Sequence, residues 1–110
     1  MNVSFEEIGR LAVTFAHSGA MAGQVCKLSS DGKVTPCAAG DKFCGIVEGV
    51  RGGFAAVQVE GFGTVAVTGS VGLGYVNLCA DGAGGVKAGT GREYLVVRVD
   101  ANNGTAVIKL

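Results

Sequence analysis

Tyr94-Leu95-Val96-Val97-Arg98-Val99-Asp100 and Thr105-Ala106-Val107-Ile108-Lys109-Leu110, joined through Asn102-Asn103-Gly104, decide the fold class. Both arms are rich in β-branched residues, which pack well on a pleated surface. Asn-Gly between two apolar runs is the strongest short hairpin signal, because both residues tolerate left-handed backbone angles. Residues 94–100 and 105–110 are therefore expected to form an antiparallel hairpin.

The same signature recurs toward the amino terminus. Residues 9–16 alternate Leu11, Val13 and Phe15 against Arg10, Ala12 and Thr14, the period of a half-buried strand. Shorter runs follow at 25–28, 43–50, 54–60, 64–68 and 75–79. Gly45 and Gly49 inside the third run point to a bulge or a close backbone approach. Asp31-Gly32 and Asp81-Gly82 mark turns. Ser4-Phe5-Glu6-Glu7 has the form of a helix capping box, but Gly9 follows too soon for more than one turn. The chain thus divides into an N-terminal arm, residues 1–8, and a single β body, residues 9–110.

A weak repeat runs through that body at a spacing of about fifty residues. Leu28-Ser29-Ser30-Asp31-Gly32 corresponds to Leu78-Cys79-Ala80-Asp81-Gly82. Gly40-Asp41-Lys42-Phe43-Cys44 corresponds to Gly91-Arg92-Glu93-Tyr94-Leu95. Two similar hairpins in a glycine-rich protein explain the match as readily as a duplication does. Either way the expected architecture is all-β, a small barrel or sandwich of short antiparallel strands.

With 110 residues, 20 of them glycine, and equal numbers of acidic and basic side chains, the chain is a neutral one of ordinary domain size. Neutrality leaves no basic footprint for nucleic acid and no polybasic patch for an anionic membrane. No apolar run reaches the roughly 20 residues of a membrane span, and the amino terminus lacks a basic-then-apolar layout. A soluble, cytosolic product is expected.

Four cysteines, Cys26, Cys37, Cys44 and Cys79, invite a disulfide or metal reading, but no pair forms C-x-x-C and the one histidine, His17, is distant in sequence. Reduced, mostly buried thiols are expected, with a disulfide or metal site assembled by the fold as the alternative. Asp31 and Asp81 are expected to cap their own turns, and Glu48 and Glu60 to face solvent. His17 lacks a marked nucleophile, since no Gly-x-Ser-x-Gly elbow is present, and reads as an exposed loop residue. The stretches 69–74 and 82–85 are glycine-rich but open no helix, so they are loops rather than phosphate cradles. Lys33 and Lys87 follow the two Asp-Gly turns without the flanking methionines of a lipoyl or biotin carrier. No catalytic, cofactor or metal site is expected from these patterns.

The order of the strand blocks resembles the small capsid cement, or head-decoration, proteins of tailed bacteriophages and prophages. The resemblance is carried by Ile8-Gly9-Arg10-Leu11-Ala12-Val13 after a short lead, Ala22-Gly23-Gln24-Val25, Gly40-Asp41 followed by Gly45-Ile46-Val47, and Val57-Gln58-Val59-Glu60-Gly61. Gly74-Tyr75-Val76-Asn77-Leu78 and the closing strand at 107–110 complete it. It spans nearly the whole chain. The four cysteines, and Leu95-Val96-Val97-Arg98 in place of a glycine-containing block, depart from the family pattern.

The resemblance implies a β-barrel-like, non-enzymatic structural subunit made in the bacterial cytoplasm and carried on the virion. It would assemble, often as a trimer, on the outside of an expanded head and clamp the major capsid protein against internal pressure. Asn2, Val3 and Phe5 of the arm would then make capsid contacts. A β-barrel interaction module of another kind, or another phage particle component, is the alternative. A thiol-dependent metal or redox protein is a third.

Overall fold

The structure, a computed structural model, describes residues 10–110, and among them valine-rich runs and positive-φ glycines build strands and no helix. The strands are β1 (Leu11–His17), β2 (Val25–Ser30), β3 (Lys33–Pro36), β4 (Gly45–Arg51) and β5 (Phe54–Glu60), then β6 (Phe62–Ala66), β7 (Gly74–Ala80), β8 (Val86–Ala88), β9 (Arg92–Asp100) and β10 (Thr105–Lys109). The all-β expectation holds.

The terminal hairpin is present, with β9 and β10 antiparallel from Thr105↔Asp100 to Lys109↔Leu95. Its turn is made by two devices. Gly104 takes a φ of 65°, and the Asp100 carboxylate accepts the N–H groups of Asn102 and Asn103 at 3.1 and 3.2 Å. β3 and β8 go beyond the sequence expectation, because runs of four and three residues are too short to show alternation.

β1 to β5 close into a barrel of order β1-β3-β2-β4-β5. Every pairing in it is antiparallel except β1 with β3, which meet at two residue pairs, Ala16↔Lys33 and His17↔Val34. The other five strands form a sheet of order β6-β10-β9-β7-β8. A parallel bridge, Val67↔Val86, brings the end of β6 back to β8. Replacing β1 to β5 by β6 to β10 in order reproduces the same cyclic arrangement, including the single parallel contact. The weak sequence repeat therefore marks two halves of one topology. Its paired aromatics meet: Phe43 and Tyr94 stack with ring centroids 4.8 Å apart, and Tyr94 Oη donates to Phe43 O.

Two apolar cores follow from the two halves. Cys26, Val34, Val47, Ala55 and Val57 fill the first barrel. The larger core lies between the halves, where Val25, Phe43 and Ile46 of the first half pack with Val65, Leu78, Tyr94, Val96 and Ile108 of the second. Alternation explains the division, since Cys26 and Val47 face into the barrel while their neighbours Val25 and Ile46 face the second sheet. The backbone also crosses the boundary, with Val25 N–H donating to Gly84 O, Gly40 N–H to Ala80 O and Ala80 N–H to Asp41 O.

At the crossing from β5 to β6 the halves meet closely around Gln58. Gly61 reverses the chain at a φ of 92°. The buried Gln58 amide donates to Glu60 O at 3.1 Å and Phe62 O at 2.8 Å. A Cβ on Gly45 would strike Gln58 O and lie 2.7 Å from Val57 Cγ1, and one on Gly63 would lie 2.5 Å from Ile46 Cδ1. Gly45 is thus a close approach, and the bulge expected in this run falls between Val47 and Gly49. Gly45→Ala is expected to cost about 1–3 kcal/mol through overpacking. Gly49→Ala, with nothing within 4 Å of its added carbon, should be neutral or slightly stabilising. Urea midpoints of the two variants check this, and equal destabilisation would refute the close approach.

Three carboxylates are held below their ordinary value. Asp41 is lowered by its hydrogen bond from the Lys27 ammonium and then by Ala38 N–H. Asp100 is lowered mainly by Asn103. Asp81 is pushed up by partial burial, but Thr68 Oγ1 and the N–H groups of Ala83 and Gly85 bring it below the usual range. A depressed folded pKa gives stability that is fully present above the unfolded carboxylate value of ~3.9 and is lost as pH falls through the folded value. Denaturant midpoints are therefore expected to be level above about pH 5 and to drop below about pH 4, with Asp81→Asn flattening part of that fall.

Candidate functional site

β1 and β3 meet at only two residue pairs, as do β2 and β4, and β1 runs well past its short neighbour. Its Ala16 and Ser18 N–H groups turn toward β3 and reach Gly32 O and Val34 O at 3.0 and 3.1 Å, whereas His17 N–H turns the other way to Gly53 O. Backbone groups of successive strand residues point to opposite sides, so those of Ala12 and Thr14 share the Ala16 direction. β3 does not extend far enough to meet them. It runs parallel to β1 and begins only at Lys33, opposite Ala16, because the chain before it is the Asp31-Gly32 turn out of β2. Among the described residues no strand pairs with this side of β1 at Ala12 or Thr14.

The side chains tell the same story. Val13 lies opposite Val57, a fully buried core residue, and so belongs to the inward-facing set, yet it is 38% exposed. Leu11, further along, is also exposed. The half-buried strand expected over 9–16 is corrected here: most of β1 is exposed on both faces, because its neighbour stops short. Arg10 anchors its start by a 2.7 Å ion pair to Glu48 on β4.

Beside β1 lies an open groove of about 450 Å³ on the outer face of the barrel. The cross-strand row Thr14, Ala56 and Gly49 is its floor, and Val50, Arg51 and Phe54 stand along it. Phe54 is 60% exposed, held out by the Gly52-Gly53 tip between β4 and β5. His17 fixes that tip from the end of β1. Its Nδ1 accepts the Ala20 N–H at 3.1 Å, which places the proton of the neutral ring on Nε2, and Nε2 donates to Gly52 O at 3.0 Å. His17 is therefore a half-buried strand residue rather than an exposed loop residue.

The four thiols are free. Cys26 and Cys79 are buried and Cys37 and Cys44 half-buried. Cys26 and Cys44 share the first-barrel core, while Cys37 packs against the other core. A hydrogen bond between the Cys26 and Cys44 thiols raises Cys26 and lowers Cys44 to about 7. Burial pushes Cys37 up to about 11. Among the described residues no group of three or more His, Cys, Asp or Glu side chains is arranged to hold a metal ion.

The remaining sequence candidates fall as follows. Asn2, Val3 and Phe5 lie outside the described residues, as does the Ser4–Glu7 motif. Glu48 and Glu60 are exposed, and Glu48 is paired with Arg10. Lys33 and Lys87 sit within β3 and β8, opposite Ser30 and Cys79, rather than at hairpin tips. The glycine-rich stretches are the connections between β6 and β7 and between β7 and β8. The open edge at Ala12 and Thr14 and the exposed Phe54 went unread in the sequence. The Asp31-Gly32 turn directly before the short run 33–36, and an aromatic directly after Gly52-Gly53, are the signals that point to them.

Neither a protein-family model nor a curated protein sequence matches the chain.

Removing the His17 ring is expected to loosen the tip that carries Phe54. His17→Ala should cost about 1–2 kcal/mol for two lost hydrogen bonds and speed Ala20 amide exchange at least roughly tenfold. Unchanged Ala20 exchange would show that the ring does not hold the loop.

Proposed function

We propose that this protein is a capsid decoration, or cement, protein of a tailed bacteriophage or prophage, binding the major capsid protein on the outer surface of the head. The observation that carries this reading is the open side of β1 at Ala12 and Thr14, flanked by exposed Leu11 and Val13. An unpaired strand edge recognises an extended segment by main-chain hydrogen bonds, with apolar side chains adding affinity. The neighbouring groove offers Phe54 and Val50 for apolar residues of the same partner and Arg51 for an acidic one. By the family resemblance, Asn2, Val3 and Phe5 would add contacts to the shell.

Each main-chain bond contributes about 0.5–1.5 kcal/mol net, so a single strand addition binds weakly. Assembly of copies, as a trimer by the family resemblance, multiplies that weak contact through effective concentration. Zero formal charge limits repulsion between copies crowded on one shell. The β1 edge equally suits a protein-interaction module acting elsewhere, and the choice between the two rests with the partner.

Co-sedimentation of the purified chain with expanded, empty phage heads tests the proposal. Saturable binding is expected. Thr14→Pro should weaken it at least roughly tenfold with little loss of stability, since proline is tolerated where an edge N–H faces away from the sheet. Phe54→Ser, at an exposed position, should weaken it too while changing stability by no more than about 0.5 kcal/mol. No binding by the wild-type chain, or full binding by Thr14→Pro, overturns the assignment.

A further inference from the structure

The β1 edge makes no use of the cysteines, yet two of them are placed for chemistry. Cys26 is the second residue of β2 and Cys44 directly precedes β4, and the strand register pairs Cys26 with Gly45. Cys44 N–H donates to Cys26 O at 2.8 Å. That bond limits how far apart the two residues are. With about 2.4 Å from Cα to carbonyl O and about 1.5 Å from N to Cα, the 2.8 Å contact keeps the Cα atoms within about 6.7 Å, inside the roughly 4.4–6.8 Å window of disulfides.

The side chains converge as well. Both pack in the first-barrel core. The Cys26 thiol makes only a long, weak contact to the Gly45 carbonyl, at 3.9 Å, and the effect of each thiol on the other's titration puts the Cys44 sulfur beside it. Cys37 and Cys79 stand apart from this pair, Cys37 against the other core and Cys79 on β7 in the second half.

We propose that Cys26 and Cys44 form a dithiol that closes to an intramolecular disulfide when it meets a peroxide, stapling β2 to β4. Cys44, half-buried and held toward its thiolate by the Cys26 hydrogen bond, attacks a peroxide oxygen. The O–O bond breaks, Cys44 becomes a sulfenic acid, and the departing hydroxide takes a proton to leave as water. The Cys26 sulfur then attacks Cys44 Sγ. The S–S bond forms, the S–O bond breaks, and the leaving hydroxide carries off the Cys26 proton as a second water. Two thiols lose two electrons, and hydrogen peroxide gains them.

The staple closes a loop that contains β3, the strand whose two pairs with β1 complete the barrel. In a reducing cytoplasm the thiols stay open, and in an oxidising exterior the bridge forms. This device stands whatever partner the β1 edge takes.

Hydrogen peroxide treatment of the full chain, followed by thiol counting after denaturation and peptide mass mapping, tests it. Reactive thiols should fall from four to two, with the Cys26 peptide joined to the Cys44 peptide. The thermal midpoint of the oxidised chain should rise by roughly 5–15 °C over the reduced one. Cys44→Ser should abolish both effects, and because that position is half-buried the variant keeps its fold. Cys37→Ser and Cys79→Ser should retain both. A bridge to Cys37, a bridge between chains, Cys44 sulfinic acid beside a free Cys26, or four unreacted thiols would each overturn the proposal.

Discussion

The structure turns on the crossing where Gly45, Gln58 and Gly63 meet. Two halves of like topology can share a core only if the outer face of the first barrel presses against the second sheet. That requires positions without side chains: a Cβ at Gly63 on β6 would strike the Ile46 and Gln58 side chains of the first half, and Gly45 plays the same part inside the first barrel, against Gln58 O and Val57. A polar group in such a seam is costly unless bonded. Gln58 meets that demand by spanning the reversal at Gly61, donating to a carbonyl on each side of it. The carboxy terminus is fixed at the same place, with Leu110 N–H donating to Gly61 O.

From this seam the two halves diverge in use. The second carries the larger side chains, Leu78, Tyr94 and Ile108, and its core is completed by Val25, Phe43 and Ile46 from the first. The first barrel is filled by smaller groups, Ala20, Ala55, Cys26 and three valines. It closes through two parallel pairs, and among the described residues most of β1 has no partner on that side.

Much of the fold was legible because its signals are local. The 94–110 hairpin rests on Asn-Gly chemistry and β-branched arms, and β5 appears within the bounds its alternation marks, Phe54–Glu60. Gly45 announced a close approach without saying to what. β3 and β8 were not legible, since pairing rather than pattern makes them strands. β1 carries a good alternation and yet is mostly exposed, because burial depends on whether a neighbour is there. The near neighbours Cys26 and Cys44 lie 18 residues apart in the chain, as the sequence numbering shows, with no motif to link them.

Composition and local pattern alone determined that this chain is a β protein of short strands with a weak internal repeat, for turn chemistry and side-chain period act over a few residues. Tertiary structure decided that the repeat is two copies of one topology, that among the described residues one side of β1 has no partner strand, and that Cys26 and Cys44 lie side by side. Each of these depends on which distant segments stop, cross or meet, and no residue carries that information by itself.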